Sequence, residues 1–449
     1  MIHLSKLLLD QVSSGDALRY GEKVTGHAAQ IGTVPTAAPK SAHERRPVIV
    51  WNLTRSCNLR CIHCYTDSEA KKYSGELSSE EARSVVDDLA AFGVPAVLLS
   101  GGEPLVRHDF WDLSAYARSK GLRLTLSTNG TLIDPPTAQR LKDVGFSYIG
   151  ISLDGIGPTN DHFRGKEGAF DAAVQAFRNC KAVGQRVGLR LTLTRHNAKD
   201  LPEIFEFLEA EGIERACFYH LVYSGRGRGI SDSDLTHAET RQAIDFLIER
   251  TLSDATKGAA REILTVDNHI DGVYLYMKTL QRDPARAEEI AKLLEWNGGG
   301  RNSSGVGIAD IDFLGNVHAD QFWQDYSFGN VRERPFSKIW TDLSDELLRG
   351  LRDQRGRIQG KCSVCKWYSM CGGGLRVRAQ RVYGTPWAPD PACYLTNEEC
   401  GISPADVEAL KARGRWFAPL AHLSEPRATL PGGGASNGVA TPANAGAGR

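Results

Sequence analysis

The sequence predicts an α/β fold: a parallel sheet, closed or partly closed as a barrel, followed by a small β-rich region. Three observations carry that expectation. Between Val48 and about His220, short apolar runs of strand length alternate with longer stretches of helical period. Such a rhythm is typical of parallel strands joined by helical crossovers. After Trp296 the texture changes to Gly/Asn/Ser-rich sequence and then to a hairpin pattern. A doubly wound open sheet is the alternative arrangement of the same elements.

Taken in order, the runs at 48–53, 96–99, 122–126, 148–153, 187–193 and 216–219 read as buried strands. Helical patterns lie between them at 79–92, 110–119, 138–144, 169–183 and 201–211. Ser78 followed three residues later by Glu81 has the form of a capping box. From Ser231 to Trp296 the period is helical, and 307–313 and 317–318 flank a Leu-Gly-Asn turn. The first 46 residues form a weakly patterned lead-in. The Gly/Ala/Pro/Asn-rich stretch after Ser424 has the composition of a disordered tail. The expected divisions are therefore a lead-in at 1–46, a core at 47–225, a helical bridge at 226–296, a second domain at 297–402 and an extension at 403–449.

Among the 449 residues, 54 Lys and Arg cancel 54 Asp and Glu, so a dominant nucleic-acid contact is not expected. Hydrophobic residues at 41% and charged residues at 24% are ordinary for a soluble protein. The apolar run at 7–9 is closed at once by Asp10, too short for a signal peptide. No stretch approaches the roughly 18 apolar residues of a membrane span. The expectation is a cytoplasmic protein with no membrane partner. There thiols stay reduced, and grouped cysteines bind metal more often than they form disulfides.

The chain has ten cysteines, and seven fall in two groups. Cys57, Cys61 and Cys64 follow the first strand directly, on the loop where a β/α barrel carries its active site. A structural zinc site usually takes four ligands; here a fourth thiol is missing locally, although His63 could stand in. An iron–sulfur cluster held by three thiolates leaves one iron open for a ligand.

Cys57-x3-Cys61-x2-Cys64, followed by Tyr65, resembles the signature of radical S-adenosylmethionine (SAM) enzymes. Motifs on the next strands agree in order: Ser100-Gly101-Gly102-Glu103-Pro104, then Ser127-Thr128-Asn129-Gly130, then Ser152-Leu153-Asp154-Gly155. The resemblance implies a partial (β/α)6 TIM-like barrel and a [4Fe–4S] cluster on the three cysteines. It implies SAM contacts from Tyr65, Gly101, Gly102, Glu103, Ser127, Asn129, Ser152, Asp154 and Arg164. Glycines would let backbone approach the ligand, and Glu103 would face an ammonium. The chemistry implied is reductive SAM cleavage to a 5′-deoxyadenosyl radical that takes hydrogen from substrate. No conventional acid/base pair is required, so no catalytic side chain is assigned.

Cys362-x2-Cys365-x5-Cys371, then Cys393, resembles the C-terminal auxiliary-cluster domain of these enzymes, called SPASM, or twitch when shortened. The family pattern would place a further cysteine at Leu375 and others near 302–304 and 318–320, and none is present. The resemblance therefore implies one auxiliary [4Fe–4S] cluster, on Cys362, Cys365, Cys371 and Cys393, with Cys400 a competitor for the fourth place. Cys180 and Cys217 read as buried structural thiols.

The stretches 50–54, 161–165 and 318–323 are similar to the heme d1 biosynthesis family, NirJ. That similarity implies a siroheme-derived tetrapyrrole substrate, 12,18-didecarboxysiroheme, from which propionate side chains are removed. It also implies an electron donor such as flavodoxin or ferredoxin. Heme synthase-type decarboxylases and SPASM-type peptide-modifying enzymes share the framework and remain alternatives. A tetrapyrrole with several carboxylates wants cationic partners, so Arg226 and Arg228 are candidate clamps and His318 a candidate ligand of substrate iron.

Overall fold

The computed structural model describes residues 1–21 and 45–424. Its centre is one ten-stranded sheet. The strands are β1 (Ile2–His3), β2 (Val48–Thr54), β3 (Val97–Gly101), β4 (Leu124–Thr128), β5 (Tyr148–Ser152), β6 (Val187–Leu193), β7 (Arg215–His220), β8 (Glu262–Val266), β9 (Ile308–Ile311) and β10 (Val317–His318). Their order is β1-β8-β7-β6-β5-β4-β3-β2-β9-β10. From β9 through β2 to β8 every neighbouring pair is parallel; β1 and β10 cap the two edges antiparallel. The terminal strands do not pair with each other, so the barrel is partial rather than closed.

Each parallel strand has two kinds of face. Leu124 and Leu126 on β4, Ile149 and Ile151 on β5, and Phe218 on β7 are fully buried under the surrounding helices. Phe218 stacks on Phe205 of the helix Leu201–Ala210 with ring centroids 5.8 Å apart. The alternate residues, among them Asn52, Ser100, Ser127, Tyr148, Ser152, Arg190 and Tyr219, point into the lumen. Ser78 and Glu81 form the capping box that the sequence indicates, at the head of the helix Ser79–Phe92.

Three regions differ from the sequence reading. Residues 1–21 are not a loose lead-in: Ile2, Leu4 and Leu7 are almost fully buried, and β1 covers the free edge of β8. The bridge at 226–296 is helical except for β8, whose Glu-Ile-Leu-Thr-Val run adds a seventh parallel strand. The hairpin of β9 and β10 joins the main sheet by pairing β9 with the exposed edge of β2. Beyond it the chain is built from short helices and turns. The expected disordered tail lies outside the described residues.

The C-terminal region is anchored to the barrel by buried polar contacts. Arg378 is fully buried; it pairs with Asp390 at 2.9 Å and donates to the carbonyls of Leu221 and Asp267 at the barrel mouth. His220 at the end of β7 lies 2.8 Å from Asp271, which also accepts from the hydroxyl of Tyr394 at 2.9 Å.

Candidate active site

The three-cysteine loop leaves the C-terminal end of β2 and is tied down from several sides. Ile62 N–H donates to the Phe163 carbonyl at 3.0 Å, and Arg60 N–H to that of Arg164. The thiol of Cys61 lies 3.7 Å from Arg164 Nη1, and that of Cys57 lies 3.9 Å from the Asn129 amide. Cys64 Sγ accepts from Ser68 N–H and meets Thr66 Oγ1 at 3.2 Å. The three sulfurs sit close enough to feel one another's charge. As a donor set, three thiols on one short loop with no fourth beside them fit a three-thiolate cluster. His63 is not that fourth ligand, because its Nε2 points to Asp154 Oδ2 at 3.2 Å.

Asp154 is the electrostatic junction of the site. Burial pushes its carboxyl up, but Arg164, at 2.5 Å, and His63 hold it down at about 2. It also accepts from Thr192 N–H at 2.7 Å. The Arg164 guanidinium thus stands between the Asp154 carboxylate and the Cys61 thiol.

Glu103 sits beneath the same loop with both oxygens engaged. Oε1 accepts from Thr128 Oγ1 at 2.8 Å and from Leu105 N–H; Oε2 accepts from Asn129 N–H at 2.8 Å. Burial raises its carboxyl to about 7. Here Glu103 joins the ends of β3 and β4, and its oxygens are not free toward the lumen. Gly101 and Gly102 serve a related purpose. Gly101 has φ +128°, and a Cβ on Gly102 would lie 2.1 Å from the Ser56 carbonyl oxygen. The close approach they permit is to the cysteine loop itself. Tyr65, the residue after Cys64, donates its hydroxyl to Asn52 Oδ1 at 2.9 Å and meets Ser100 Oγ at 3.0 Å. Ser127 and Ser152 line the lumen at the ends of β4 and β5. Of the nine expected SAM contacts, Ser127 and Ser152 line the lumen, while Glu103, Gly101, Gly102, Asp154 and Arg164 are engaged in holding the cysteine loop and strand ends together.

The three substrate candidates fare differently. Arg226 is spent on the cysteine loop: Nε donates to the Cys61 carbonyl at 2.7 Å, Nη1 to Asp67 at 2.7 Å and Nη2 to the Ser68 carbonyl at 2.9 Å. With each guanidinium nitrogen donating once to the loop, it braces that loop. Arg228 is exposed, 4.0 Å from Asp325. His318 is buried, with Nδ1 2.8 Å from the Tyr326 carbonyl and Nε2 3.4 Å from Asp312. Burial lowers its basicity, yet Asp312 and Asp310 raise it to about 8, so the imidazole is cationic near neutrality. The ring is therefore enclosed between the Tyr326 carbonyl and Asp312, with Nε2 lacking a hydrogen bond.

Sequence reasoning missed the polar side chains facing inward from apolar strands. Asn52 bridges Tyr65 and Asp310, donating to Asp310 Oδ1 at 2.9 Å. The other oxygen of Asp310 has no hydrogen-bond partner, and burial drives its carboxyl well above the ordinary range. A single polar residue inside Val-Ile-Val-Trp-Asn-Leu-Thr was the available signal.

The second cysteine group surrounds a separate small cavity of about 10 Å³. Cys362, Cys365, Cys371 and Cys393 line it together with Cys400. Among the described residues no three Cys, His, Asp or Glu side chains converge tightly enough for a single ion. A set of thiols alone is one that iron–sulfur clusters and structural zinc both take. Where a second auxiliary cluster would need cysteines, the space is filled: Leu375 is buried, and Ser304 donates its hydroxyl to the buried Asp320.

A partial barrel of parallel strands, three cysteines on its first loop and a polar collar on the next strand ends define a radical SAM enzyme. The chain belongs to the radical SAM superfamily, whose family model matches residues 51–208. It is 53% identical to the Fe-coproporphyrin III synthase of Methanosarcina barkeri over 89% of this chain and 99% of that one. To the pre-heme d1 synthase of Dinoroseobacter shibae it is 45% identical over 82% and 91% of the two chains. Among solved structures it is similar to Streptococcus suis SuiB bound to its precursor peptide SuiA. That match has a TM-score of 0.63 and 18% identity, and covers 78% and 76% of the two chains. At that identity the likeness speaks to the fold alone. No described helix is long and apolar enough to cross a membrane.

Proposed function

We propose that this protein uses SAM to remove carboxylate-bearing side chains from an iron tetrapyrrole of the siroheme type. The observation that carries the proposal is the near full-length similarity to two enzymes whose names specify iron porphyrin or heme products. The higher identity to Fe-coproporphyrin III synthase favours an Fe-coproporphyrin as product. Pre-heme d1 formation by propionate removal from 12,18-didecarboxysiroheme is the second reading. A peptide substrate is the least supported, since the peptide-bound neighbour is similar in fold only.

In this reading Cys57, Cys61 and Cys64 hold a [4Fe–4S] cluster, and Cys362, Cys365, Cys371 and Cys393 hold an auxiliary one. The first cluster, with SAM bound, supplies a 5′-deoxyadenosyl radical. The chain's own residues prepare the place for it. Arg164 and Asp154 set the cysteine loop against β5, and Arg226 locks the loop's far side. Glu103, through Thr128 and Asn129, keeps the strand ends in register below it. Tyr65, Ser127 and Ser152 present polar groups to SAM. A reductant such as flavodoxin or ferredoxin supplies the electron.

The test is anaerobic incubation of the reconstituted protein with 12,18-didecarboxysiroheme, SAM and a reductant, followed by mass spectrometry. Fe-coproporphyrin together with 5′-deoxyadenosine is the expected outcome. Pre-heme d1 instead would select the second reading. No 5′-deoxyadenosine above the substrate-free level would sink both.

A further inference from the structure

The lumen of the sheet contains an arginine with no acidic partner. Arg190 lies on β6, paired in register with Ser152 on β5 and Cys217 on β7, so its side chain points inward. Its guanidinium sits 4.7 Å over the ring of Tyr219. Among the described residues it makes no ion pair and its side chain makes no hydrogen bond. Other arginines of the interior are held by named partners, although Arg376 Nε and Nη2 and Arg215 Nε are also left without a hydrogen bond. Arg215 pairs with Glu262 at 2.9 Å, Arg378 with Asp390, and Arg352 and Arg376 donate to backbone carbonyls. Asp267, just past β8, feels the charge of Arg190 without pairing with it.

The surroundings suit an anion. The hydroxyl of Tyr148, on the same inward face of β5, is buried with no hydrogen-bond partner. Tyr219 adds a second phenol beside the guanidinium. Two glycines let Arg190 and Tyr148 lie close against the sheet. Gly150 and Gly188 face each other across β5 and β6. A Cβ on Gly150 would lie 2.4 Å from Arg190 Cδ, and one on Gly188 would lie 2.7 Å from Tyr148 Oη. Glycine inside a strand costs about 0.5–1 kcal/mol relative to alanine, so two in register mark where the Arg190 stem and the Tyr148 ring must approach the backbone. A planar guanidinium flanked by phenols is the donor arrangement that recognises a carboxylate by two parallel hydrogen bonds.

The geometry points to Arg190, with Tyr148 and Tyr219, as the holder of one substrate carboxylate, inserted into the lumen below the rim that carries Ser152. This assignment rests on the tetrapyrrole reading and names the part of that substrate the lumen recognises. An anchored side chain fixes which neighbouring side chain faces the radical source, so Arg190 sets position and selectivity and takes no part in bond cleavage.

The test uses the cluster-loaded protein and three variants, Arg190→Met, Arg190→Lys and Gly150→Ala. Each is titrated anaerobically with 12,18-didecarboxysiroheme, followed by its Soret absorbance, and separately with SAM. Arg190→Met is expected to weaken tetrapyrrole binding by about tenfold or more while leaving SAM affinity within about twofold. Arg190→Lys should recover part of that loss. Gly150→Ala, which keeps the cation but fills its space, should weaken binding even if Arg190→Met fails to fold. The tetrapyrrole methyl ester should bind wild type and Arg190→Met alike. Equal binding of the free acid by wild type, Arg190→Met and Gly150→Ala overturns the assignment, as does a loss confined to SAM. Failure of the wild type to bind any tetrapyrrole sinks the functional reading itself, a distinguishable result.

Discussion

Arg164 Nη2 lies 2.5 Å from Asp154 Oδ2, in a pair almost wholly removed from water. The same guanidinium reaches the thiol of Cys61, and the helix that carries it accepts two backbone hydrogen bonds from the cysteine loop. One ion pair therefore connects the strand end of β5 to the loop where the first cluster would form.

Removing one partner of that pair should be costly, because it leaves an uncompensated buried charge. Arg164→Met is expected to lower stability by roughly 3–5 kcal/mol. Its iron should fall selectively at the first cluster. Thermal unfolding and the electron paramagnetic signal of the reduced protein check this. An unchanged Tm and spectrum would show the pair to be dispensable.

Arg226 and Arg228 are two residues apart and should behave oppositely. Arg226→Ala removes three ties to the cysteine loop, so the first cluster should become labile to oxygen and chelators. Arg228→Ala removes only an exposed 4.0 Å contact and should change stability by less than about 0.5 kcal/mol. Chelator-dependent bleaching of the cluster absorbance reads both.

The auxiliary site predicts an iron count. Wild type should carry about eight irons, two cubanes, and Cys362→Ala about four. Cys400→Ala should stay near eight, since four other thiols line the same cavity. A drop to about four in Cys400→Ala with full retention in Cys393→Ala would exchange the two assignments.

Acid stability should depend on Glu262. Burial pushes this carboxyl up, but Arg215 leads the cations that hold it at about 2, and Arg186 bonds its other oxygen at 2.8 Å. A depressed carboxyl contributes stability above its unfolded value of about 4.3, lost as the pH falls toward 2. Glu262→Gln should therefore be less stable than wild type at pH 7, with the gap closing between about pH 4.5 and 2. A gap that stays constant across that range would remove the ion pair as its source.

Much of this architecture is legible in the chain. The six runs between 48 and 219 became β2 to β7 with small shifts at their ends, because strands buried on both faces read as continuous apolar sequence. The hairpin arm Val317–His318 was legible from its turn, but the edge strand Ile2–His3 was not: two residues are too few for any period, and it forms because an open sheet edge offers unpaired backbone groups. The Glu-Ile-Leu-Thr-Val run of β8 was hidden between two helical patterns.

The sequence by itself determined the class of chemistry. Thiol spacing and the order of polar motifs at strand ends are local properties, and covalent neighbours fix which loop each motif occupies. Tertiary structure alone decided how individual charges are used. Arg226, Arg190 and His318 look equally available in sequence. Folding engages the first with the cysteine loop, leaves the second without a carboxylate, and pairs the third with Asp312. The partners of a buried charge come from strands and loops distant in the chain, and its desolvation depends on all of them at once.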